Sequence, residues 1–161
     1  MAPVTSAGLL LYRRGEHGVE VLLGHMGGPF WARKDAGAWS VPKGELESGE
    51  APLDAARREF AEELGVPPPD GESIALGEVR LSSGKVVEVW TVEGDLDPAR
   101  VVPGTFTMEW PRGSSRLQEF PELDRVAWLR LDEARVALTA SQRPYVERLV
   151  ALLPTSPPGS G

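Results

Sequence analysis

Residues 44–66 read GELESGEAPLDAARREFAEELGV, and the rest of the chain is organised around them. From Pro52 to Leu64 nothing interrupts a helix: Pro52 is tolerated in a first turn, where its missing N–H has no helical partner to lose, and Gly65 suits the left-handed position that ends one. At about 100° per residue, Glu59, Glu62 and Glu63 fall within one narrow arc, while Leu53, Phe60 and Leu64 make a separate apolar stripe beside it. The helix is expected to pack on one side and to present acid on another.

Carboxylates at i, i+3 and i+4 repel one another, so a positive group is expected among them. Oxygen ligands without His or Cys favour a hard ion, Mg²⁺ or Mn²⁺, held beside the phosphates of a substrate. The competing reading is a solvated acidic face whose glutamates pair with Arg57 and Arg58.

Spacing separates the two. Gly44, five residues, Glu50, seven residues, Arg58-Glu59, the bulky apolar Phe60, then Glu62-Glu63 and Gly65-Val66: at every defined position the stretch resembles the Nudix box. With each invariant identity at about one in fifteen by composition, a chance match somewhere in the chain is on the order of one in a million. The resemblance implies a Nudix α/β/α sandwich with a central mixed β-sheet, one domain over residues 1–153. It also implies metal-dependent hydrolysis of a pyrophosphate linkage in a nucleoside diphosphate derivative. Glu59, Glu62, Glu63 and the main-chain carbonyl of Lys43 would hold the metal, with Glu50 and Arg58 as an ion pair bracing the loop against the helix. In many relatives a Glu six residues before a Trp in the closing strand reaches the cluster as ligand or general base. Counting back from Trp128 gives Glu122, with Glu119 as the fallback in another loop register. Either Glu62 or Glu122 would orient or deprotonate the attacking water. Relatives that isomerise isopentenyl diphosphate need a catalytic Cys, and this chain has none. Non-catalytic ligand-sensing relatives often lose box glutamates, whereas this box is intact.

A chain of 161 residues is enough for one core of ordinary size. Met1 to Ser6 lacks the basic start and apolar run of a signal peptide, and no stretch has the length of a membrane span. The expectation is a soluble cytoplasmic protein with no membrane partner, monomeric or homodimeric. A net charge of −7 argues against a nucleic-acid surface. A small anionic nucleotide can still bind if a metal ion supplies local positive charge.

Val4 to Tyr12 and Val19 to His25 read as strands around a polar turn, Arg13 to Gly18. HMGGPFWARKDAG follows as an irregular segment. It is either a surface loop with Phe30 and Trp31 tucked underneath, or a lip offering Trp31 to a base and Arg33 or Lys34 to phosphates. WSVPKG then leads into the box with Lys43 positioned to project toward phosphates. A Lys there is common in relatives that cleave dinucleoside polyphosphates and diphosphoinositol polyphosphates, whereas relatives that sanitise nucleoside triphosphates often have Gly.

Ile74 to Leu81 and Lys85 to Glu93 read as a hairpin around Ser83-Gly84. Asp95 to Gly104 is a polar excursion and Thr105 to Trp110 a strand. PRGSSRLQEFPELD is expected to be a mobile charged connection whose Arg112 and Arg116 are either solvated or reach phosphates, and beside which Trp110 offers a stacking surface. Arg125 to Leu131 reads as a strand, Asp132 to Ala137 as a helix, and Ser141 to Leu153 as a helix with Tyr145, Leu149 and Leu152 inward. Residues 154–161, PTSPPGSG, are a disordered tail by composition. These basic groups and tryptophans suit diadenosine tetraphosphate first, with a nucleoside triphosphate or a diphosphoinositol polyphosphate as alternatives.

Overall fold

In the computed structural model, which describes residues 4–153, the middle strand explains the layering. The tail expected to be disordered lies outside the described residues. β1 (Val4–Gly15) carries Gly8-Leu9-Leu10-Leu11-Tyr12, buried throughout. Because successive side chains on a strand point to opposite faces, Leu9 and Leu11 enter one core while Leu10 and Tyr12 enter another. A strand this apolar on both faces needs cover on both.

β2 (Gly18–Met26), β3 (Trp39–Ser40) and β4 (Lys43–Glu45) precede α1 (Pro52–Leu64). β5 (Ile74–Arg80), β6 (Val86–Glu93), β7 (Thr105–Glu109), β8 (Leu117–Pro121) and β9 (Leu123–Arg130) follow, then α2 (Leu131–Ala137) and α3 (Pro144–Leu152). The sheet runs β3-β2-β1-β6-β5, with β4 also on β1 and β9 also on β2. β1 and β6 are parallel and the other pairings antiparallel, so the sheet is mixed. α1 buries Ala55, Ala56, Phe60 and Leu64 against Ala7, Leu9, Leu11 and Leu22. On the other face, Ala134 of α2 and Tyr145, Val146 and Leu149 of α3 pack on Leu10, Val21, Leu23 and Val89. This is the expected α/β/α sandwich. Among the described residues, no helix is long and apolar enough to cross a membrane.

Four local expectations are corrected. The first hairpin is tighter than a turn over Arg13 to Gly18, since Gly15 already pairs with Gly18. Residues 117–121 are not part of an irregular connection: they form β8, antiparallel to β7 in a separate two-stranded sheet with Phe106 opposite Phe120. The last helix starts at Pro144, preceded by a 3₁₀ turn at Ala140–Gln142. A proline has no N–H for an α-helical interior and fits the first turn, which is why one continuous helix from Ser141 does not form. Leu152 is on the exposed side, and Val146 takes the inward position expected of it.

Candidate active site

α1 supplies the acidic residues, and its two ends are fixed by local chemistry. Pro52 opens it, and Gly65 closes it with φ of 68°, the left-handed conformation that costs a glycine nothing and a side chain about 1 kcal/mol. The preceding loop is held by Arg58. Its Nε and Nη2 donate to both oxygens of Glu50 at 2.8 Å each, and Nη2 also donates to the Glu45 carbonyl at 3.0 Å. This fork, joined by the Glu47 N–H on Glu50 Oε1, holds the Glu50 carboxyl down to about 2. The expected ion pair between loop and helix is therefore present.

Arg58 does more than that pair requires. Its Nη1 donates to Glu59 at 2.9 Å and to Glu62 at 3.1 Å, so part of the competing reading, glutamates neutralised by arginine, holds as well. Arg57 instead approaches Asp70 at 3.9 Å. Glu63 has no arginine. Its Oε2 accepts a 3.3 Å bond from the backbone N–H of Lys43. Burial pushes its carboxyl up to about 8, with the Lys43 charge opposing and the Glu59 and Glu122 carboxylates adding to the rise. Burial also raises Glu59. Gly44 lets the Glu59 carboxylate lie against the backbone, because a Cβ there would displace it.

Glu122 reaches this group through the backbone. The carbonyls of Glu63 and Leu64 at the end of α1 accept from Gly104 and Val102 N–H, and the Gly104 carbonyl accepts from Glu122 N–H at 2.7 Å. The helix end and the turn before β9 are thus tied together. A cleft of about 340 Å³ opens beside them, lined by Lys43, Glu63 and Glu122, by Trp31 and Phe106, and by Met26, Gly27, Ser40 and Leu123. Glu119, the fallback, is an exposed residue of β8 paired with Thr107 and does not line the cleft.

The remaining expected contacts divide. Arg33 and Lys34 stay on the lip outside the cleft wall, Lys34 with its ammonium 3.6 Å over the exposed Phe30 ring. Trp110, Arg112 and Arg116 sit at the far end of the β7–β8 hairpin. At about 3.4 Å per residue, Trp110 lies about 17 Å along the strand direction from Thr105. The structure does not bring these three to the cleft, because the segment expected to fold over as a loop is stiffened into a hairpin. Phe106 and Ser40 were missed; the alternation of Phe106 and Met108 in β7, both half-buried between exposed neighbours, is the signal that points Phe106 inward.

Among the described residues, no three His, Cys, Asp or Glu side chains are drawn together closely enough to ligate one ion. The donor chemistry nevertheless fits a hard dication: oxygen donors, one of them a half-buried carboxyl whose proton affinity is raised by desolvation and further by two other carboxylates. Glu59 and Glu62 would have to share or leave Arg58 to join it.

Residues 2–149 match the family model described as NUDIX domain. An RNA pyrophosphohydrolase of Francisella tularensis subsp. mediasiatica is 43% identical over 56 residues, which is 34% of this chain and 36% of that protein. The chain thus spans only about a third of the curated relatives it matches. Among solved structures, a C. elegans Ap4A hydrolase binary complex superposes with a TM-score of 0.64 at 22% identity, covering 91% of this chain and 96% of that one. The NUDIX domain of Shewanella oneidensis NrtR complexed with ADP ribose gives 0.62 at 18% identity, over 96% and 90%.

Proposed function

The chain belongs to the Nudix family, and from that premise we propose that it is a divalent-metal-dependent pyrophosphohydrolase of nucleoside diphosphate derivatives. One observation carries the reading: half-buried Glu63, its carboxyl raised first by desolvation and then by the Glu59 and Glu122 charges, lines a cleft together with Glu122, Lys43, Trp31 and Phe106. A partly buried carboxyl with a raised proton affinity, held by no arginine and lining an open cleft, is the kind of group that functional sites use.

In this reading Glu59, Glu62, Glu63, Glu122 and the Lys43 carbonyl hold Mg²⁺ or Mn²⁺. Such an ion, when bound, neutralises phosphate oxygens and favours attack by water at phosphorus. Lys43 meets a phosphate with its ammonium. Trp31 stacks on a base. Glu122 or Glu62 takes the proton of the attacking water as its oxygen bonds to phosphorus and the bridging P–O bond breaks, giving a nucleotide and a phosphorylated remainder. Glu50 and Arg58 keep the loop and α1 in register for this. Lining of the cleft by Glu122 and not Glu119 supports Glu122 as the downstream acid.

The first substrate is a dinucleoside polyphosphate such as diadenosine tetraphosphate, which offers a base to Trp31 and a chain of phosphates to Lys43. The fold likeness to an Ap4A hydrolase agrees with that choice without deciding it. The partial likeness to an RNA pyrophosphohydrolase keeps a triphosphate-ended RNA as a second reading, against the net charge of −7. The test is release of products from a panel holding diadenosine tetraphosphate, nucleoside triphosphates, a diphosphoinositol polyphosphate and triphosphate-ended RNA, with Mg²⁺, with Mn²⁺ and with chelator. Chelator-sensitive cleavage of the dinucleotide is expected. Cleavage of another member alone overturns the substrate, and no cleavage with either metal overturns the hydrolase.

A further inference from the structure

His25 is a fully buried polar side chain near the end of β2 that the proposed chemistry does not use. Its Nδ1 lies 2.8 Å from Oδ1 of Asp124 and its Nε2 2.5 Å from the carbonyl oxygen of Lys34. A carbonyl and a carboxylate offer acceptor oxygens, so a proton on either ring nitrogen has an acceptor to meet. Trp39 packs edge-on against it at 5.4 Å between centroids.

The two acceptors lie outside the cleft but next to its lining residues, Lys34 in the turn of Trp31 and Asp124 directly after Glu122 and Leu123. Lys34 closes the turn that presents Trp31: Lys34 N–H donates to the Trp31 carbonyl, and Trp31 N–H to that of Gly28. Asp124 is the residue that the β2–β9 ladder skips, since His25 stands opposite Arg125 and Met26 opposite Leu123. It is the extra residue of a β-bulge, a device that re-aims the chain beside it. Without the bulge, the register beyond Arg125 would slip by one and turn the following side chains to the other face. Glu122 lies two residues beyond, its carbonyl held at 3.0 Å by Gly27 N–H, itself two residues past His25.

We propose that His25 is a positioning residue whose contacts at both ring nitrogens fix two neighbouring parts of the cleft, through Asp124 the bulge that delivers Glu122 and through Lys34 the turn that delivers Trp31. The kinetic part of this rests on the proposed hydrolase function, and the positional part does not. Amide side chains separate the arms: an Asn places its N–H₂ near the position of imidazole Nδ1, and a Gln near that of Nε2. His25→Asn keeps the Asp124 arm and His25→Gln keeps the Lys34 arm. Asp124 is partly exposed, so Asp124→Ala tests the bulge arm in a variant that tolerates the change, and Asp124→Asn retains an acceptor.

The measurements are kcat and KM on the cleaved nucleotide, and amide hydrogen exchange at Gly27 and at Trp31 and Lys34. His25→Gln and Asp124→Ala are expected to lower kcat about tenfold with KM little changed, and to speed exchange at Gly27. His25→Asn is expected to raise KM about tenfold with kcat little changed, and to speed exchange at Trp31 and Lys34. Asp124→Asn is expected to restore most of what Asp124→Ala loses. Equal losses in both constants for His25→Asn and His25→Gln, or an Asp124→Ala protein like wild type in kcat and exchange, overturns the clamp. If the His25 variants do not fold, the two Asp124 variants decide by the same criteria. If the wild type cleaves nothing, the hydrolase reading falls, and the exchange pattern alone supports or overturns the clamp.

Discussion

Glu59, Glu62 and Glu63 share one arc of α1 yet occupy three environments. The Glu62 side chain is 58% exposed on the helix rim, that of Glu59 is 15% exposed under Arg58, and Glu63 is turned into the cleft. Glu62→Gln removes the charge on an exposed rim and keeps an oxygen that can accept from Arg58, so its structural cost is small. Turnover with Mg²⁺ should fall about a hundredfold or more while the melting temperature stays put; wild-type activity in the variant takes Glu62 out of the site. Trp31 and Trp110 separate in the same way. Trp31 lines the cleft and Trp110 does not. Trp31→Ala should raise KM for diadenosine tetraphosphate about tenfold and leave a base-free polyphosphate unaffected, because stacking acts only on a base. Trp110→Ala should change neither constant by more than about twofold. Equal effects of the two substitutions would show that stacking is not what Trp31 contributes.

At the level of elements, the joint between the box loop and α1 rests on one guanidinium. Arg58 makes bonds to Glu50, Glu59, Glu62 and the Glu45 carbonyl, whereas Glu50 loses only its own fork when changed. Glu50→Gln and Arg58→Ala should both lower melting temperature and activity, Arg58→Ala the more; a variant that keeps full stability while losing turnover would assign that residue to chemistry. α1 was legible because its period, Pro52 and Gly65 are local signals. β8 was not, because Leu117 is 75% exposed and its strand exists only through pairing with β7, which sequence-local reading does not contain. Arg112→Ala and Arg116→Ala, at the end of that hairpin, should leave KM within about twofold of wild type. Glu122 was legible only through its distance in sequence from Trp128. The role of His25 was not legible at all: its acceptors lie 9 and 99 residues away, and a lone His in an apolar strand carries no spacing to read.

For the whole molecule, the carboxylates make stability a function of pH with opposite limbs. Glu50 is lowered to about 2 by Arg58 and the Glu47 N–H, so its contribution is present above the ordinary carboxylate value near 4.5 and is lost as pH falls toward 2. Glu63 is raised to about 8 by burial, so the native state holds a proton that the unfolded chain has released. Its contribution is complete below about 4.5 and drains as pH rises to about 8, with a slope of at most about 1.4 kcal/mol per pH unit. A dication competes with that proton for the same oxygens and stabilises most where the carboxyl is ionised. Metal-free protein should therefore melt lower at pH 8 than at pH 5, and Mg²⁺ should raise the melting temperature more at pH 8 than at pH 5. Glu63→Gln is uncharged at both values and similar in shape. It should melt higher than wild type in chelator at pH 8, flatten the decline between the two pH values, and lose most of the Mg²⁺ response. The net charge of −7 gives every variant some self-repulsion at the higher pH, so the informative quantity is the difference between wild type and Glu63→Gln. If the two proteins decline in parallel and respond alike to Mg²⁺, Glu63 is neither the buried acid of this site nor a ligand of its metal.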